Sequence, residues 1–195
     1  MRKFYRFARA LVWPFTSLIY PYKVINREKA DIDGGFIIAA NHLSNLDPFF
    51  LAYSLRKRMI HFMAKEEILK NGFLRLIAKI SQIVPVNRGT ADLKAMRACM
   101  NVIKEGGNVG IFPQGTRTPE DPKPESALPG TGLIILHTKA PVLPVSIITK
   151  NHKVRLFKKC TVVIGEPILY EEYSTAGNSG EAAKYCFKKV CERFE

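Results

Sequence analysis

The stretch FIIAANHLSNLDP, residues 36–48, decides the fold class. It opens with five apolar residues after the pair Gly34-Gly35, and a short apolar run of this kind predicts a buried strand. Asp47 and Pro48 are favoured at the N-cap and the first turn of a helix, so a helix is predicted over residues 47–56. A buried strand followed at once by a helix is the repeating unit of α/β folds.

The same alternation continues along the chain. The clearest helix spans residues 91–104, where apolar side chains recur at spacings of three and four before the glycine pair 106–107. The sequence therefore predicts the α/β class, with a mixed, largely parallel sheet flanked by helices. The other predicted strands are 61–64, 83–86, 109–112, 142–148 and 161–164, the other predicted helices are 66–81, 133–138 and 181–194, and the proline-rich residues 119–129 are predicted to be an irregular loop.

Composition limits the function classes. The chain has 195 residues, of which 47% are hydrophobic and 24% charged, as in one folded domain and unlike a disordered tail or a collagen-like fibre. Lys and Arg number 30 against 17 Asp and Glu, a net charge of +13. Such a chain attracts an anionic partner, which can be a nucleic acid, an acidic protein, an anionic membrane or a phosphorylated substrate.

The four cysteines form no metal-binding or redox motif. Cys99, Cys160, Cys186 and Cys191 include no C-x-x-C pair and have no histidine at zinc spacing. They are predicted to be reduced and mostly buried thiols, as in cytosolic proteins.

The N-terminal residues have a different character from the rest. Four basic residues within positions 2–9 precede an apolar stretch, 10–22, that holds four aromatic residues and two prolines. A bilayer span needs roughly 20 apolar residues, so this stretch is too short to cross a membrane. It favours an amphipathic helix in the membrane interface over a helix packed on the domain's own core. We therefore expect an N-terminal membrane-interface segment, residues 1–30, and a catalytic domain, residues 31–195.

His42 and Asp47 form the first chemical constellation. His42 follows a predicted strand and Asp47 begins the next helix, so the loop between them can bring the carboxylate to one imidazole nitrogen. The other nitrogen can then take a proton from a substrate hydroxyl. The alternative is structural, because a helix cap explains Asp47 and a histidine in a loop is common. Ser44 is not expected to be a nucleophile, since the chain has no G-x-S-x-G motif.

Three later segments also contain residues of predicted strands. VPVNRGT, residues 84–90, places Arg88 where a guanidinium can grip a phosphate, and IFPQGTR, residues 111–117, adds a second arginine, Arg117. Gly115 permits a close backbone approach, and amides near it can hold a developing oxyanion. APVLPV, residues 140–145, indicates an edge strand or an irregular strand.

In this order the four segments resemble the glycerolipid acyltransferase family, in particular the bacterial 1-acylglycerol-3-phosphate (lysophosphatidate) acyltransferases. That family carries N-H-x-x-x-x-D, an arginine motif, F-P-E-G-T-R and a proline-containing V-P-V segment. Lys65 and the triplet 165–167, Gly-Glu-Pro, look like further family features. The resemblance covers roughly residues 36–170.

The resemblance implies the roles of the site residues. His42 is expected to be the general base and Asp47 its partner, with no metal. Substrate-binding residues are expected to be Lys65, Arg88, Gly115, Thr116 and Arg117. The implied reaction moves a fatty acyl group from a thioester, acyl carrier protein or acyl-CoA, to the sn-2 hydroxyl of 1-acylglycerol 3-phosphate (lysophosphatidic acid), making phosphatidic acid in phospholipid biosynthesis. One departure is Gln114, which stands where the family usually has glutamate.

Partners and location follow from the same resemblance. We expect a peripheral or monotopic protein on the cytoplasmic face of the cell membrane, touching an anionic membrane surface. Residues 150–159 hold five basic side chains and no acid, so they can face anionic lipid or an acidic carrier protein, or form a solvated loop. Alternatives are another lysophospholipid or glycerol 3-phosphate as acceptor, a lysophospholipase, a non-catalytic membrane protein, and a nucleic-acid-binding module. No nucleic-acid partner is expected, because the basic residues are scattered and no such motif occurs.

Overall fold

The computed structural model describes residues 2–56, 58–65, 72, 83–86 and 92–193 of the chain. Within them the helices are α1 (Arg2–Ile19), α2 (Asp47–Ser54), α3 (Leu93–Lys104), α4 (Pro129–Thr138), α5 (Tyr170–Tyr173) and α6 (Ser179–Cys191). The strands are β1 (Tyr22–Ile25), β2 (Ile37–Ala40), β3 (Ile60–Lys65), β4 (Val84–Val86), β5 (Asn108–Ile111), β6 (Val142–Thr149) and β7 (Cys160–Ile164). The helix predicted over 66–81 lies outside the described residues, apart from Gly72.

The described strands form one sheet in the order β1-β7-β6-β2-β5-β3-β4. Neighbouring strands are parallel except β6 and β7, which are antiparallel. The α/β class with a mixed, largely parallel sheet is confirmed. β1 was not predicted as a strand, and it belongs to the sheet although its residues fall in the expected N-terminal segment 1–30.

Strand direction brings several loops to one edge of the sheet, which we call the carboxyl edge. β2, β3, β5 and β6 end there because they run parallel to one another. β7 runs against β6, and β1 runs with β7, so both of these strands begin at the same edge. The end of α1, the loop after β2, the loop after β5 and the β6–β7 connection therefore meet at the carboxyl edge.

β2 lies at the centre and is buried on both faces. Ile37 and Ala39 pack in one apolar cluster with side chains of α3, α4 and α6. Ile38 and Ala40 pack in a second cluster that includes Phe50 of α2. The alternation of side chains along a strand explains this division, and it gives the molecule a helical layer on each side of the sheet.

Pro144 corrects one prediction, because β6 is a central strand between β7 and β2 and not an edge strand. The Pro144 carbonyl accepts a hydrogen bond from the Gly165 N–H at 2.8 Å, so the proline nitrogen also faces β7. The β6–β7 register begins at the next residue, where Val145 pairs with Ile164. The missing N–H thus falls at the end of that ladder, which makes a proline tolerable in a central strand.

Two helix starts also differ from prediction. α4 begins at Pro129, within the stretch predicted to be a loop, because a proline fits the first turn of a helix. α6 begins at Ser179, and its N-cap Asn178 accepts a hydrogen bond from the Glu181 N–H at 3.0 Å. All four cysteines are free and buried, as predicted.

α1 carries its apolar stripe on the outside. Phe7, Leu11, Phe15 and Leu18 are 60–74% exposed and lie within one stripe of the helix. Its polar contacts point towards the domain instead: the Trp13 indole N–H donates to the Tyr22 hydroxyl at 2.8 Å, and the Thr16 and Tyr53 hydroxyls are 3.1 Å apart. The apolar stripe is therefore not packed on the domain's own core. Within the described residues no helix is long and apolar enough to cross a membrane.

Candidate functional site

His42 and Asp47 meet at the carboxyl edge. β2 ends at Ala40, and His42 is the second residue of the loop that follows; 9% of its side-chain area is exposed. Its Nδ1 lies 2.7 Å from Asp47 Oδ2, and Asp47 is fully buried. Nδ1 therefore carries a hydrogen and donates a hydrogen bond to the carboxylate. Among the described residues no group hydrogen-bonds to Nε2, which leaves this nitrogen available to a substrate.

Asp47 holds the loop and does not cap its own helix. Its Oδ2 also accepts hydrogen bonds from the amides of Leu43 and Ser44, at 2.6 and 2.7 Å. A capping carboxylate would instead accept from amides of the helix that follows it. Asp47 was predicted at the N-cap of α2, but it is the first helical residue, and Leu46 occupies the N-cap position. These contacts contradict the interpretation of Asp47 as a helix cap and support its predicted role as the partner of His42.

The backbone of His42 is fixed on both sides. Its N–H donates to Gln114 Oε1 at 3.0 Å, and its carbonyl accepts from the Thr118 N–H at 2.8 Å. The preceding Asn41 exchanges two hydrogen bonds with the Ile147 backbone, Nδ2 to the carbonyl at 2.9 Å and Oδ1 from the amide at 2.7 Å. The imidazole therefore projects from a backbone that is tied to β6 and to the loop after β5.

Aromatic stacking orients the imidazole ring. The His42 ring stacks on Phe112 with centroids 4.1 Å apart and planes 15° from parallel. Phe112 is in turn stacked on Phe62 at 6.2 Å. Phe62 was not singled out from the sequence, and Phe112 and Asn41 were given no role there. Asn41 and Phe112 fall within the motifs N-H-x-x-x-x-D and F-P-E-G-T-R, whereas the signal of Phe62 is its position in a predicted strand.

The loop after β5 wraps around His42 and contains Gly115, Thr116 and Arg117. The structure brings these three residues to the site, since Gln114 and Thr118 on either side of them bond to the His42 backbone. Gly115 has a φ of 67°, and a Cβ there would meet Leu128 Cδ1 at 2.4 Å, so this position requires glycine. Thr116 and Arg117 are exposed to solvent.

The Gly115 amide itself is not free to hold an oxyanion. It donates to the Phe112 carbonyl at 2.9 Å to close the turn. Within the described residues, no acceptor is bonded to the next two amides, those of Thr116 and Arg117. These two amides, next to Gly115, are the candidate oxyanion donors.

Two predicted residues are placed only partly or not at all. Lys65 is the last residue of β3, so its backbone lies at the carboxyl edge, and its side chain is not among those described. Arg88 lies outside the described residues. The expected contacts of both side chains with substrate remain predictions.

A cavity of about 700 Å³ adjoins the loop after β5. The described part of its wall includes residues 112–116 and apolar residues such as Met63, Met96, Leu133 and Ile134. The cavity therefore shares residues 112–116 with the loop that wraps around His42, and its described lining is mostly apolar.

Comparison with known proteins agrees with this geometry. Residues 21–148 match the family model described as Acyltransferase. The chain is 32% identical over 172 residues to the 1-acyl-sn-glycerol-3-phosphate acyltransferase of Bacillus subtilis (strain 168), covering 87% of this chain and 85% of that one. It is 26% identical over 151 residues to the enzyme of that name from Streptococcus pneumoniae, covering 74% of this chain and 54% of that one.

A solved structure extends the likeness to the fold. The crystal structure of the 1-acyl-sn-glycerophosphate (LPA) acyltransferase PlsC from Thermotoga maritima superposes with a TM-score of 0.75 at 26% identity, covering 98% of this chain and 77% of that one. The buried imidazole–carboxylate pair, the loop that wraps it and these matches lead to one conclusion: the chain belongs to the acyltransferase family.

Proposed function

We propose that this protein transfers a fatty acyl group from a thioester to the sn-2 hydroxyl of 1-acylglycerol 3-phosphate, giving phosphatidic acid. The observation that carries the proposal is the His42–Asp47 pair, 2.7 Å apart at the carboxyl edge, with no described group hydrogen-bonded to Nε2. The names of the matched relatives support the choice of acceptor.

The proposed reaction needs one base and no covalent enzyme intermediate. Nε2 of His42 removes the proton of the hydroxyl as its oxygen attacks the thioester carbonyl, and Asp47 stabilises the imidazolium that forms. The tetrahedral intermediate then collapses. The C–S bond breaks, the imidazolium returns the proton to the leaving thiolate, and an ester C–O bond remains. The thioester of acyl carrier protein or coenzyme A is a cosubstrate, and no resident cofactor is needed.

The loop after β5 supplies the groups that stabilise negative charge, both on the oxyanion and on the acceptor's phosphate. The amides of Thr116 and Arg117 are the proposed donors to the oxyanion, because the amide of Gly115 is occupied. The guanidinium of Arg117 is exposed on the same loop and can grip the acceptor's phosphate, together with the predicted Arg88 and Lys65. Anchoring the phosphate fixes which hydroxyl reaches His42, and such positioning can supply several kcal/mol.

A membrane-bound acceptor explains the outward stripe of α1. We propose that this stripe enters the interface of an anionic membrane, with the protein peripheral or monotopic on the cytoplasmic face. The net charge of +13 supports an anionic surface, and four unpaired thiols support a reducing compartment.

The test is an assay of purified protein with a labelled acyl thioester and a panel of acceptors. The expected result is labelled phosphatidic acid from 1-acylglycerol 3-phosphate, with much less product from glycerol 3-phosphate or other lysophospholipids. His42→Ala, checked for native folding by circular dichroism, should lower kcat by about 100-fold to 10,000-fold. Release of free fatty acid without acylated lipid would instead show a lysophospholipase, and a His42→Ala rate near wild type would overturn the assignment of the base.

A further inference from the structure

The β6–β7 connection presents an unusual surface, residues 153–159, which we call the basic loop. Its basic side chains are exposed, and so are two apolar ones: Leu156 is 57% and Phe157 is 68% exposed. Phe157 also has a φ of 57°, a left-handed conformation that residues with a Cβ rarely adopt. The basic members are Lys153, Arg155, Lys158 and Lys159.

Folding of the isolated chain does not account for this arrangement. A phenylalanine in left-handed backbone costs free energy, and its exposed ring recovers little by burial. Asparagine or glycine would satisfy the same turn at lower cost. An outward Leu-Phe pair among four cations matches a surface that binds an apolar layer beneath anionic groups.

The basic loop is joined directly to the end of α1. The Phe157 N–H donates to the Ile19 carbonyl at 2.7 Å, and the Cys160 N–H donates to the Pro21 carbonyl at 2.9 Å. Leu18, beside Ile19, is 74% exposed. The outward apolar stripe of α1 thus continues onto the basic loop.

This combined surface lies at the carboxyl edge with His42. The loop after β2 is tied to β6 by the Asn41–Ile147 hydrogen bonds, a few residues before β6 leads into the basic loop. The segment after Arg117 reaches the same connection, where Asp121 Oδ1 lies 3.5 Å from His152 Nε2. A membrane bound to the basic loop would therefore face the carboxyl edge, where His42 lies.

We infer that the basic loop is a second membrane-binding element, which docks on anionic phospholipid with the Leu156 and Phe157 side chains in the interface and the four cations at the headgroups. Together with α1 it sets the orientation of the carboxyl edge towards the bilayer. The inference rests on the proposed function only in assuming a lipid acceptor. Charge complementarity and the exposed apolar pair favour a membrane over an acidic carrier protein, which would need the cations but not an inserted Leu-Phe pair.

The first test measures insertion at the loop itself. Phe157→Cys is labelled with an environment-sensitive fluorophore. The label reacts selectively at position 157, because the four native thiols are buried. The matched control is Leu169→Cys, since Leu169 is 51% exposed and follows β7 at the opposite edge of the sheet. Vesicles of phosphatidylglycerol and phosphatidylcholine should shift the emission of the label at 157 to the blue and leave the label at 169 unchanged. Equal responses at the two positions would overturn the inference.

The second test measures affinity for the same vesicles. Phe157→Asn suits the left-handed backbone, so the variant should be at least as stable as wild type while its vesicle affinity falls about tenfold. Lys158→Ala should weaken binding about fivefold at low salt and progressively less as salt rises. The matched controls are Leu169→Asn and Lys188→Ala, on surfaces away from α1, and neither should change binding.

The outcomes separate this inference from the proposed function. Phe157→Asn should retain wild-type kcat/KM with a short-chain lysophosphatidate dispersed in water, because residue 157 is outside the catalytic machinery. Unchanged vesicle affinity with intact activity would overturn only the membrane element. If Phe157→Asn and Lys158→Ala lose binding to an acidic acyl carrier protein but keep wild-type vesicle binding, the loop is assigned to that protein partner instead. Absence of acyl transfer by wild type would overturn the proposed function whatever the vesicle results.

Discussion

Asp47 concentrates three hydrogen bonds on one carboxylate oxygen, from the His42 ring and from the Leu43 and Ser44 amides. One buried side chain therefore sets both the path of the loop and the orientation of the imidazole. The negative charge of Asp47 is buried away from solvent, and a buried charge stabilises a nearby imidazolium more strongly than a solvated one.

Asp47→Asn tests that charge. The amide is nearly isosteric and can still accept from the loop, but it cannot stabilise an imidazolium, so kcat should fall about 100-fold or more. The matched control is Asp33→Asn, an exposed aspartate before β2, which should leave kcat unchanged. Steady-state kinetics together with urea unfolding would separate loss of catalysis from loss of folding. An Asp47→Asn rate within threefold of wild type would contradict the role assigned to Asp47.

Gln114 shows why glutamine can replace the family's glutamate. The contact made here, Oε1 with the His42 N–H, needs an acceptor and not a charge. Gln114 is thus a positioning residue that acts through the backbone of His42.

Two substitutions at Gln114 test separately its role as a hydrogen-bond acceptor and the importance of its lack of charge. Gln114→Glu keeps an acceptor but adds a carboxylate that favours the imidazolium form of His42, so the acid limb of the pH profile of kcat/KM should move to higher pH. Gln114→Leu leaves the His42 N–H unpaired and should cost about 1–3 kcal/mol of stability. Identical pH profiles for wild type and Gln114→Glu would show that position 114 is electrostatically remote from the base.

At the residue scale the sequence indicated the pair but not its supports. His42 and Asp47 are five residues apart, so a local motif predicts their contact. Gln114 meets His42 across 72 positions, and the ring of Phe112 stacks on His42 only because β2 and β5 are neighbours. Pairing between distant strands is not written in local spacing, and these contacts emerge only from the folded sheet.

At the scale of elements, regular patterns predicted well and exceptions did not. β2 and α3 were predicted because continuous apolar runs and spacings of three and four are strong local signals. The start of α4 was missed because Pro129, Gly130 and Gly132 are typical of loops. Their reason is tertiary: a Cβ on Gly132 would lie 1.7 Å from the Ser179 carbonyl, where α4 meets α6 backbone to backbone.

Gly132→Ala should therefore separate two helices. Because the obstacle is backbone and cannot rotate away, the substitution should lower the free energy of unfolding by about 3 kcal/mol. Gly130→Ala, two residues earlier in α4, is the matched control, since its Cβ would meet only Met96 Cε at 3.9 Å. That variant should gain up to about 1 kcal/mol from helix propensity. Urea midpoints measure both, and equal midpoints would contradict the close packing of α4 on α6.

At the scale of the whole molecule, three buried thiols make the stability of the fold depend on pH in the alkaline range. Burial raises the pKa of Cys99, Cys160 and Cys186 to about 12, from 9.0 for an ordinary thiol. The unfolded chain loses these protons near pH 9 while the folded chain keeps them, so stability is unaffected below pH 9 and falls between about pH 9 and 12.

The expected loss is about 1.4 kcal/mol per pH unit for each such thiol. Urea unfolding at successive pH values measures how steeply the free energy of unfolding falls with pH. Cys160→Ala should reduce this slope by the contribution of one thiol, about 1.4 kcal/mol per pH unit. A slope unchanged by Cys160→Ala would show that this thiol does not titrate differently in the two states. In native protein at pH 8 a thiol reagent should leave all four cysteines unmodified, because they are buried.

The reversed orientation of α1 has a consequence for handling the protein. α1 exposes the apolar side chains of Phe7, Leu11, Phe15 and Leu18. It should therefore associate with other apolar surfaces, including the same helix of a second molecule. Without detergent or lipid, concentrated stocks should self-associate through this contact and turn over substrate more slowly per molecule than dilute ones. Deleting that helix would yield better-behaved solutions at the expense of access to natural, bilayer-embedded acceptors.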